Sequence, residues 1–143
     1  MGNEKETKES ALPLIKIVGP CASGKTTLTN RLRALGYNAR QIAQEHSGVP
    51  DMWRRLHPPD VLIYLDAQDE TILRRRPSKT LAVILPQERK RLAHARAHAD
   101  LVVETDDLTP DEVLQRVLAF LKQRGIPSGP PLPPQDSGQI RRS

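Results

Sequence analysis

Hydrophobic positions along the chain fall into two kinds of pattern. Continuous apolar runs rich in β-branched residues, at 14–18, 61–66 and 101–103, predict buried strands of a parallel sheet. Apolar stripes with helical spacing predict a helix over 27–35, ended by Gly36, and a second that begins after the capping box at 109–112. Strands that alternate with helices indicate an α/β fold, a doubly wound parallel sheet with helices on both faces.

The remaining segments carry weaker patterns. Residues 38–45 predict at best a weak second strand, and Asp51 is placed to cap a short helix that is broken at 57–59. A helix is expected over 68–76. The run at 81–85 fits either a helix or a strand, and Pro86 is expected to begin a helix that continues to about residue 99.

Both ends of the chain have the composition of disordered segments. Residues 1–10 are polar and charged, and residues 125–143 combine several prolines and glycines with a basic end. We therefore expect disordered tails at 1–10 and 125–143, and one folded domain over 11–124. The proline-rich stretch 130–134 also fits an SH3- or WW-like groove, but a solvated tail is the preferred interpretation.

The chemistry of the chain centres on the segment from Gly19 to Thr26, which reads G-x-x-x-x-G-K-T, the Walker A pattern. Its glycines let successive backbone N–H groups face one anion, and it lies between a predicted strand and a predicted helix. We expect Lys25, exposed to the ligand, to reach the β- and γ-phosphates, and the Thr26 hydroxyl to ligate Mg²⁺. The pattern predicts a nucleotide-binding domain with ATP and Mg²⁺ as cofactors. The expected binding residues are Gly19, Cys21, Ala22, Ser23, Gly24, Lys25, Thr26 and Thr27.

Composition narrows the range of partners. The formal net charge of +5 suits a polyphosphate ligand and also fits weak nucleic-acid binding. Aromatic residues make up 3% of the chain, which leaves few platforms for stacked bases, so a nucleic-acid partner is not expected. Membrane-spanning runs and a signal-peptide core are missing from the sequence, which favours a cytoplasmic protein without a membrane partner. A single cysteine rules out an internal disulfide.

Beyond the Walker A segment the sequence continues with V-L-I-Y-L-D, a basic stretch, and R-L-A-H-A-R-A-H-A-D-L-V-V-E-T-D-D-L-T-P-D-E-V. With these motifs the chain resembles small P-loop kinases of the shikimate, gluconate and adenylate kinase type, within the P-loop NTPase superfamily. The resemblance implies transfer of the ATP γ-phosphate to a small-molecule acceptor. It also implies a basic lid over 74–91, an arginine that contacts substrate or phosphate, and adenine resting against 105–108.

The chain departs from these kinases in two ways. About fifteen residues separate Glu45 from Val61, so the number of strands is reduced and the acceptor pocket is truncated. The family's Mg²⁺-ligating or catalytic carboxylate has no D-x-D or D-G counterpart here, and Glu45 occupies the nearest position. Glu45 is therefore the candidate base or Mg²⁺ ligand. Asp66, which ends a Walker B-like strand, is the alternative carboxylate, or else a cap for the next helix.

The predicted catalytic residues are Lys25, Glu45, Arg75 and Arg91. Arg75 belongs to the cluster 74–76, which is either a clamp for the phosphoryl group or a solvated helix face. Arg91 occupies the place of the kinase arginine, with Arg96 as its rival.

Other chemistry-bearing residues have competing interpretations. Cys21 is either a reactive thiolate near a helix N-terminus or an inert buried thiol. Trp53 is interpreted as a core residue rather than an acceptor platform. His46, His94 and His98 suggest a metal site, since His94 and His98 are one helical turn apart, but no H-E-x-x-H pattern or cysteine partner in the sequence supports one, so metal binding by these histidines is not expected.

The function expected from the sequence is therefore ATP-dependent phosphoryl transfer to an unidentified small molecule. The alternative is a nucleotide-binding switch or slow ATPase that has lost its acceptor site, and the short segment 46–60 favours it. A basic NTPase associated with nucleic acid is a third and weaker interpretation.

Overall fold

The computed structural model describes residues 12–135. Its centre is a four-stranded, all-parallel sheet in the order β2–β1–β3–β4. The strands are β1 (Leu14–Val18), β2 (Asn38–Gln41), β3 (Val61–Asp66) and β4 (Leu101–Glu104). The predicted α/β class, a parallel sheet with helices on both faces and a small number of strands, is confirmed, and it is consistent with a reduced P-loop NTPase type of fold. The weakly patterned second strand is present and forms one edge of the sheet.

Helices follow three of the four strands, and two one-turn 3₁₀ helices fill the connection between β2 and β3. The α-helices are α1 (Lys25–Ala34), α2 (Asp69–Arg75), α3 (Lys79–His98) and α4 (Pro110–Gln123), and the 3₁₀ helices are Gln44–His46 and Met52–Arg54. The capping box predicted from sequence is formed, because the Thr109 side chain accepts from the Glu112 N–H and the Glu112 side chain accepts from the Thr109 N–H.

Both faces of the sheet are covered. Side chains from alternate positions of β1 and β3 face α1 and α4 on one side, where the buried cluster includes Ile15, Ile17, Ile63, Leu65, Leu28, Leu32, Val117 and Leu121. The intervening positions face α3 on the other side, with Val18, Leu62, Tyr64, Leu92, Ala95 and Trp53. Trp53 is 7% exposed and belongs to this core, as the sequence indicated. Because all strands are parallel, their carboxyl ends form one edge of the molecule.

Helix α3 begins earlier than the sequence predicted. Pro86 does not start a helix but lies inside one, which begins at Lys79 after the N-cap Ser78. Leu81 and Leu85 are one turn apart and both buried against α2, so packing favours helix through the ambiguous run. Pro86 and Ala82 are both exposed, so the carbonyl that loses its helical partner faces solvent.

Residues 126–135 also differ from expectation, because they pack on the domain where the sequence predicts a disordered tail. The Gly129 and Leu132 N–H groups each donate to a carbonyl at the end of α1, Gly36 O and Arg33 O, at 2.8 Å. Arg33 O also accepts from the Gly36 N–H at 2.9 Å, so Leu132 is its second donor, whereas Gly129 supplies a partner for the Gly36 carbonyl just beyond the helix. Gly36 has φ +90°, and a Cβ on it would collide with the Gly129 carbonyl oxygen.

The tail ends against the edge strand. The Gln135 side chain accepts from the Gln41 N–H at 2.8 Å and donates to the Gln41 carbonyl at 3.2 Å. This pairing covers backbone groups of β2 that a sheet edge otherwise leaves open. The expected tail at 1–10 and the last residues of the expected tail at 125–143 lie outside the described part. Within residues 12–135, no helix is both long and apolar enough to cross a bilayer.

Candidate functional site

The segment with the Walker A pattern forms a tight turn between β1 and α1. Gly24 precedes α1 with φ +98°, a conformation that favours glycine. At Gly19 there is no room for a side chain, because a Cβ would collide with the Leu65 carbonyl oxygen of β3 and lie 2.9 Å from Ser23 Oγ. The two glycines of the pattern therefore serve different purposes, one for the turn and one for close approach to the sheet.

Lys25 turns back over this loop rather than into solvent. Its Nζ donates to the carbonyls of Gly19 at 2.8 Å and Pro20 at 3.0 Å. The same atom forms a 2.8 Å ion pair with Glu45 Oε2, and the two side chains are 9% and 5% exposed. Lys25 is therefore largely buried in this state, although it still contributes to the lining of the larger cavity described below. The pairing arises because β1 and β2 are parallel neighbours, so the loops after them meet.

Thr26 lies at the start of α1 with its side chain exposed. Its hydroxyl is 3.2 Å from Gln41 Oε1 and 3.0 Å from Gln41 Nε2, at the end of β2. The second oxygen of Glu45, Oε1, is buried and has no hydrogen-bond partner among the described residues. A hydroxyl and a carboxylate oxygen are ligands that Mg²⁺ accepts, so Thr26 and Glu45 have the chemistry of a Mg²⁺ site.

Two adjoining cavities open onto the loop. The first, of about 420 Å³, is lined by Cys21, Ala22, Ser23, Gly24, Lys25, Thr26, Thr27, Gln41, Glu45, His46, Arg75 and Arg76. The second, of about 240 Å³, is lined by Ala22, Ser23, Gly24, Thr27, Leu28, Arg75, Thr105, Leu108, Pro110 and Val113. Residues 105 and 108, where the resemblance places adenine, belong to the second cavity.

Arg75 is shared by both cavities. Its guanidinium donates to the Ala22 carbonyl at 3.1 Å and to the Thr105 carbonyl at 2.8 Å and hydroxyl at 3.1 Å. It therefore ties the loop after β1 to the loop after β4.

The other candidate arginines are placed differently. Arg76 lines the larger cavity. Arg91 lies outside the linings of both cavities and donates to the Glu45 carbonyl at 3.4 Å, so it contacts the backbone that carries Glu45. Arg74 lies outside both linings too, and Arg96 donates to Asp66.

Asp66 does not supply a carboxylate to the cavities. Its Oδ1 accepts from Arg89 at 2.6 Å and from the Ala67 N–H at 2.8 Å, and its Oδ2 accepts from Arg96 at 3.2 Å. Burial opposes the charge on Arg89, but hydrogen bonds to Asp69 and Asp66 outweigh it and raise the arginine's pKa. Because α3 arginines hold both of its oxygens and Asp66 lines neither cavity, the structure favours a structural role for Asp66 over the Walker B-like interpretation. Gln68, not Asp66, is the N-cap of α2.

Cys21 is held by Glu88 of α3. Glu88 Oε1 accepts from the Cys21 N–H at 3.1 Å, and the Cys21 thiol donates to Glu88 Oε2 at 3.0 Å. Burial, then the hydrogen bond and the charge of Glu88, raise the pKa of Cys21 to about 12. The inert interpretation of this thiol therefore describes the folded state better than the reactive one.

Sequence reasoning missed three residues of this region: Gln41, Glu88 and Arg89. A signal existed for Glu88, because it occupies a position in the stripe 81, 85, 88, 92 and 95, whose other members are apolar and buried. A charged residue inside an apolar stripe indicates a buried polar partner. Gln41 and Arg89 had no comparable pattern, since their contacts depend on how strands and helices come together.

A comparison with known proteins finds similarity over part of the chain. No model of a known protein family matches the chain. An alignment 66 positions long, which covers 39% of this chain, is 36% identical to nucleotide-binding protein PPA0813 of Cutibacterium acnes (strain DSM 16379 / KPA171202). The match covers 23% of that protein, so this chain spans less than a quarter of the relative's length.

Proposed function

We propose that the chain binds a nucleoside triphosphate, with ATP as the preferred ligand, at the loop between β1 and α1. The observation that carries this proposal is the loop itself: a glycine turn ends at the N-terminus of α1, and Lys25 Nζ rests on its carbonyls. Such a turn presents backbone N–H groups and a helix dipole to an anion. The relative's name, which describes nucleotide binding, supports the same assignment.

The two cavities suggest how the ligand lies. The phosphates would occupy the larger cavity, between Lys25, Thr26 and Arg76, and the base would enter the smaller one beside Leu108 and Val113. Lys25 would leave Glu45 for the β- and γ-phosphates. Thr26 and Glu45 would hold Mg²⁺, which supplies positive charge beside the phosphates when it is bound.

We further propose that the γ-phosphoryl group is transferred to a hydroxyl of a small acceptor. In its alternative role as the base, with Thr26 alone holding Mg²⁺, Glu45 would accept the hydroxyl proton as the oxygen bonds to phosphorus, while the bond to the β-phosphate breaks and a nucleoside diphosphate leaves. Lys25 and Arg76 would stabilise the transferring charge. Arg75 and Arg91 would act as positioning residues, because their hydrogen bonds fix the loops that carry the cavity.

The alternative, a nucleotide switch or slow ATPase, is favoured by a separate observation. The segment between β2 and β3, where the similar kinases form part of their acceptor site, is used here for packing. Gln44 is fully buried and bonds to Trp53, Val49 and Arg91, and Trp53 lies in the core.

Two measurements test these proposals in order. Binding of ATP should be strengthened by Mg²⁺ in the parent but not in Thr26→Ala, whereas the exposed α3 residue Thr80, changed to Ala, should leave the Mg²⁺ effect intact. Loss of the effect in both variants would contradict the assigned role of Thr26.

Release of ADP should then be measured with nucleosides, nucleoside monophosphates, sugars and sugar acids. Strong stimulation by one class supports the kinase, and uniform near-zero turnover with intact binding supports the switch.

A further inference from the structure

We propose that Cys21, His46 and Glu88 form a binding site for a soft divalent metal ion of the Zn²⁺ class. The three residues come from different elements: the loop after β1, the 3₁₀ helix after β2, and α3. One ligand atom from each lies within 4.8 Å of the others. Cys21 Sγ is 3.0 Å from Glu88 Oε2 and 3.8 Å from His46 Nε2.

These distances suit tetrahedral coordination. Metal–ligand bonds of about 2.3 Å to sulfur and about 2.0 Å to nitrogen and oxygen place neighbouring ligand atoms roughly 3.3–3.5 Å apart. The sulfur–oxygen and sulfur–nitrogen separations of 3.0 and 3.8 Å bracket that range. A small rotation of the His46 side chain, which is 55% exposed, would bring the three atoms into place.

The charges around the cluster favour a cation. Glu88 is 1% exposed, and the adjacent Glu45 side chain is 5% exposed with its Oε2 3.9 Å from His46 Nε2. Glu45 Oε1 is buried without a hydrogen-bond partner among the described residues. Lys25 is the cation paired with Glu45, so the two carboxylates leave a net negative charge beside the thiol.

Metal binding at this cluster has a defined proton balance. In the structure the Cys21 thiol donates a hydrogen bond to Glu88 Oε2 at 3.0 Å. A metal–sulfur bond forms as the S–H bond breaks, and one proton passes to the buffer without any change of oxidation state. Mg²⁺ is not expected to compete, because it prefers oxygen ligands and dehydrates reluctantly, whereas thiolate and imidazole suit Zn²⁺ and Co²⁺.

The His94–His98 pair is the obvious competitor for a metal ion. The Trp53 Nε1–H donates to His94 Nδ1 at 3.0 Å, and His98 Nδ1 lies 2.8 Å from the His94 carbonyl. The two rings stack with centroids 4.2 Å apart, an arrangement that leaves little room for an ion between them. His98, which is exposed, therefore provides a matched control for His46.

The test uses Co²⁺ alone, added to the full chain in the absence of nucleotide, followed by displacement with Zn²⁺. We expect one Co²⁺ per chain, a sulfur-to-cobalt charge-transfer band in the near ultraviolet, and intense visible bands typical of tetrahedral cobalt. Calorimetry in buffers of different ionisation enthalpy should give about one proton released per ion, as expected for a protonated thiol ligand. Excess Mg²⁺ should leave the bands unchanged.

Variants decide which residues hold the ion. Cys21→Ser should abolish the charge-transfer band, and His46→Gln should weaken Co²⁺ binding at least tenfold, while His98→Gln should match the parent. Because Glu88 is buried, Co²⁺ binding by Glu88→Gln should be interpreted only after circular dichroism shows that this variant is folded. A parent without a charge-transfer band, a ratio of one ion to two chains, or equal losses in His46→Gln and His98→Gln would each overturn the proposal. None of these outcomes depends on nucleotide binding.

Discussion

The ion pair between Lys25 and Glu45 leads us to expect that loss of the Glu45 charge strengthens ATP binding instead of weakening it. In Glu45→Gln, Lys25 loses a charged partner 2.8 Å away but keeps the Gly19 and Pro20 carbonyls. A phosphate that enters the loop must compete with Glu45 for the same ammonium group. Removal of the carboxylate charge should therefore strengthen binding of Mg²⁺-free ATP, although Glu45 is a proposed catalytic residue.

The magnitude follows from the geometry. Two unit charges 2.8 Å apart attract each other by roughly 6 kcal/mol at an effective dielectric constant of about 20, before desolvation is subtracted. Removing one partner of a buried pair costs roughly 3–5 kcal/mol of folding stability. Here we expect about 2 kcal/mol, because Lys25 keeps two carbonyl acceptors and an amide oxygen can replace Oε2. Part of the loss becomes a gain in ligand binding of about 1.4 kcal/mol, or about tenfold.

Urea unfolding and isothermal titration measure the two quantities. With EDTA present, ATP should bind Glu45→Gln about tenfold more tightly than the parent, and with Mg²⁺ this advantage should shrink because a proposed metal ligand is lost. ADP release should fall in the same variant. Glu70→Gln on the exposed side of α2 makes the same change in net charge and should alter none of these values. Unchanged or weaker binding of Mg²⁺-free ATP would refute competition between Glu45 and phosphate.

Three further predictions concern the tail, a pH dependence and a positioning residue. A chain that ends at residue 135 should melt like the full chain, whereas one that ends at residue 125 should melt at least about 4 °C lower by circular dichroism, since it loses the bonds to Gly36, Arg33 and Gln41. Equal melting temperatures would contradict docking of 126–135. Because the pKa of Cys21 rises from 9.0 to about 12 on folding, its contribution to stability is present below pH 9 and lost as the pH rises towards 12. From pH 9 to 10.5 the parent should therefore lose unfolding free energy faster than Cys21→Ser in urea titrations, and parallel curves would argue against the buried thiol. Arg75→Ala should weaken ATP binding roughly tenfold by titration, while its neighbour Arg74→Ala should not, and equal effects would point to general charge instead of the loop contacts.

Much of the fold is legible in the sequence because it rests on local patterns. Strand β3 occupies the predicted residues 61–66, and the Thr109 capping box begins α4 as expected. The predictions for residues 126–135 and for Pro86 differ from the structure for the same reason. Composition and helix propensity describe how a segment behaves alone, not how it packs against the rest of the domain. Pro86 lies inside α3 because Leu81 and Leu85 are buried. Residues 126–135 dock because the end of α1 and the edge of β2 present open backbone groups.

The candidate site was readable only in part. The loop motif marks Lys25 and Thr26 directly, and the parallel order of β1 and β2 brings Glu45 to the same edge. The orientation of the Asp66 side chain could not be predicted from the sequence. Its hydrogen bonds to Arg89 and Arg96 depend on the packing of α3 against β3, and no local sequence pattern predicts that packing.

Nucleotide binding at the loop through Lys25 can be decided by calorimetry of MgATP on a charge-balanced pair of variants. Lys25→Ala alone would leave Glu45 buried and unpaired, so loss of binding could reflect loss of fold. The comparison is therefore between Glu45→Gln and the double variant Lys25→Met with Glu45→Gln, with Lys79→Met added to Glu45→Gln as the control at an exposed lysine. We expect Glu45→Gln and its Lys79→Met control to bind MgATP, and the folded double variant to bind it at least a hundredfold more weakly. A folded double variant that binds MgATP as tightly as Glu45→Gln would contradict nucleotide binding through Lys25.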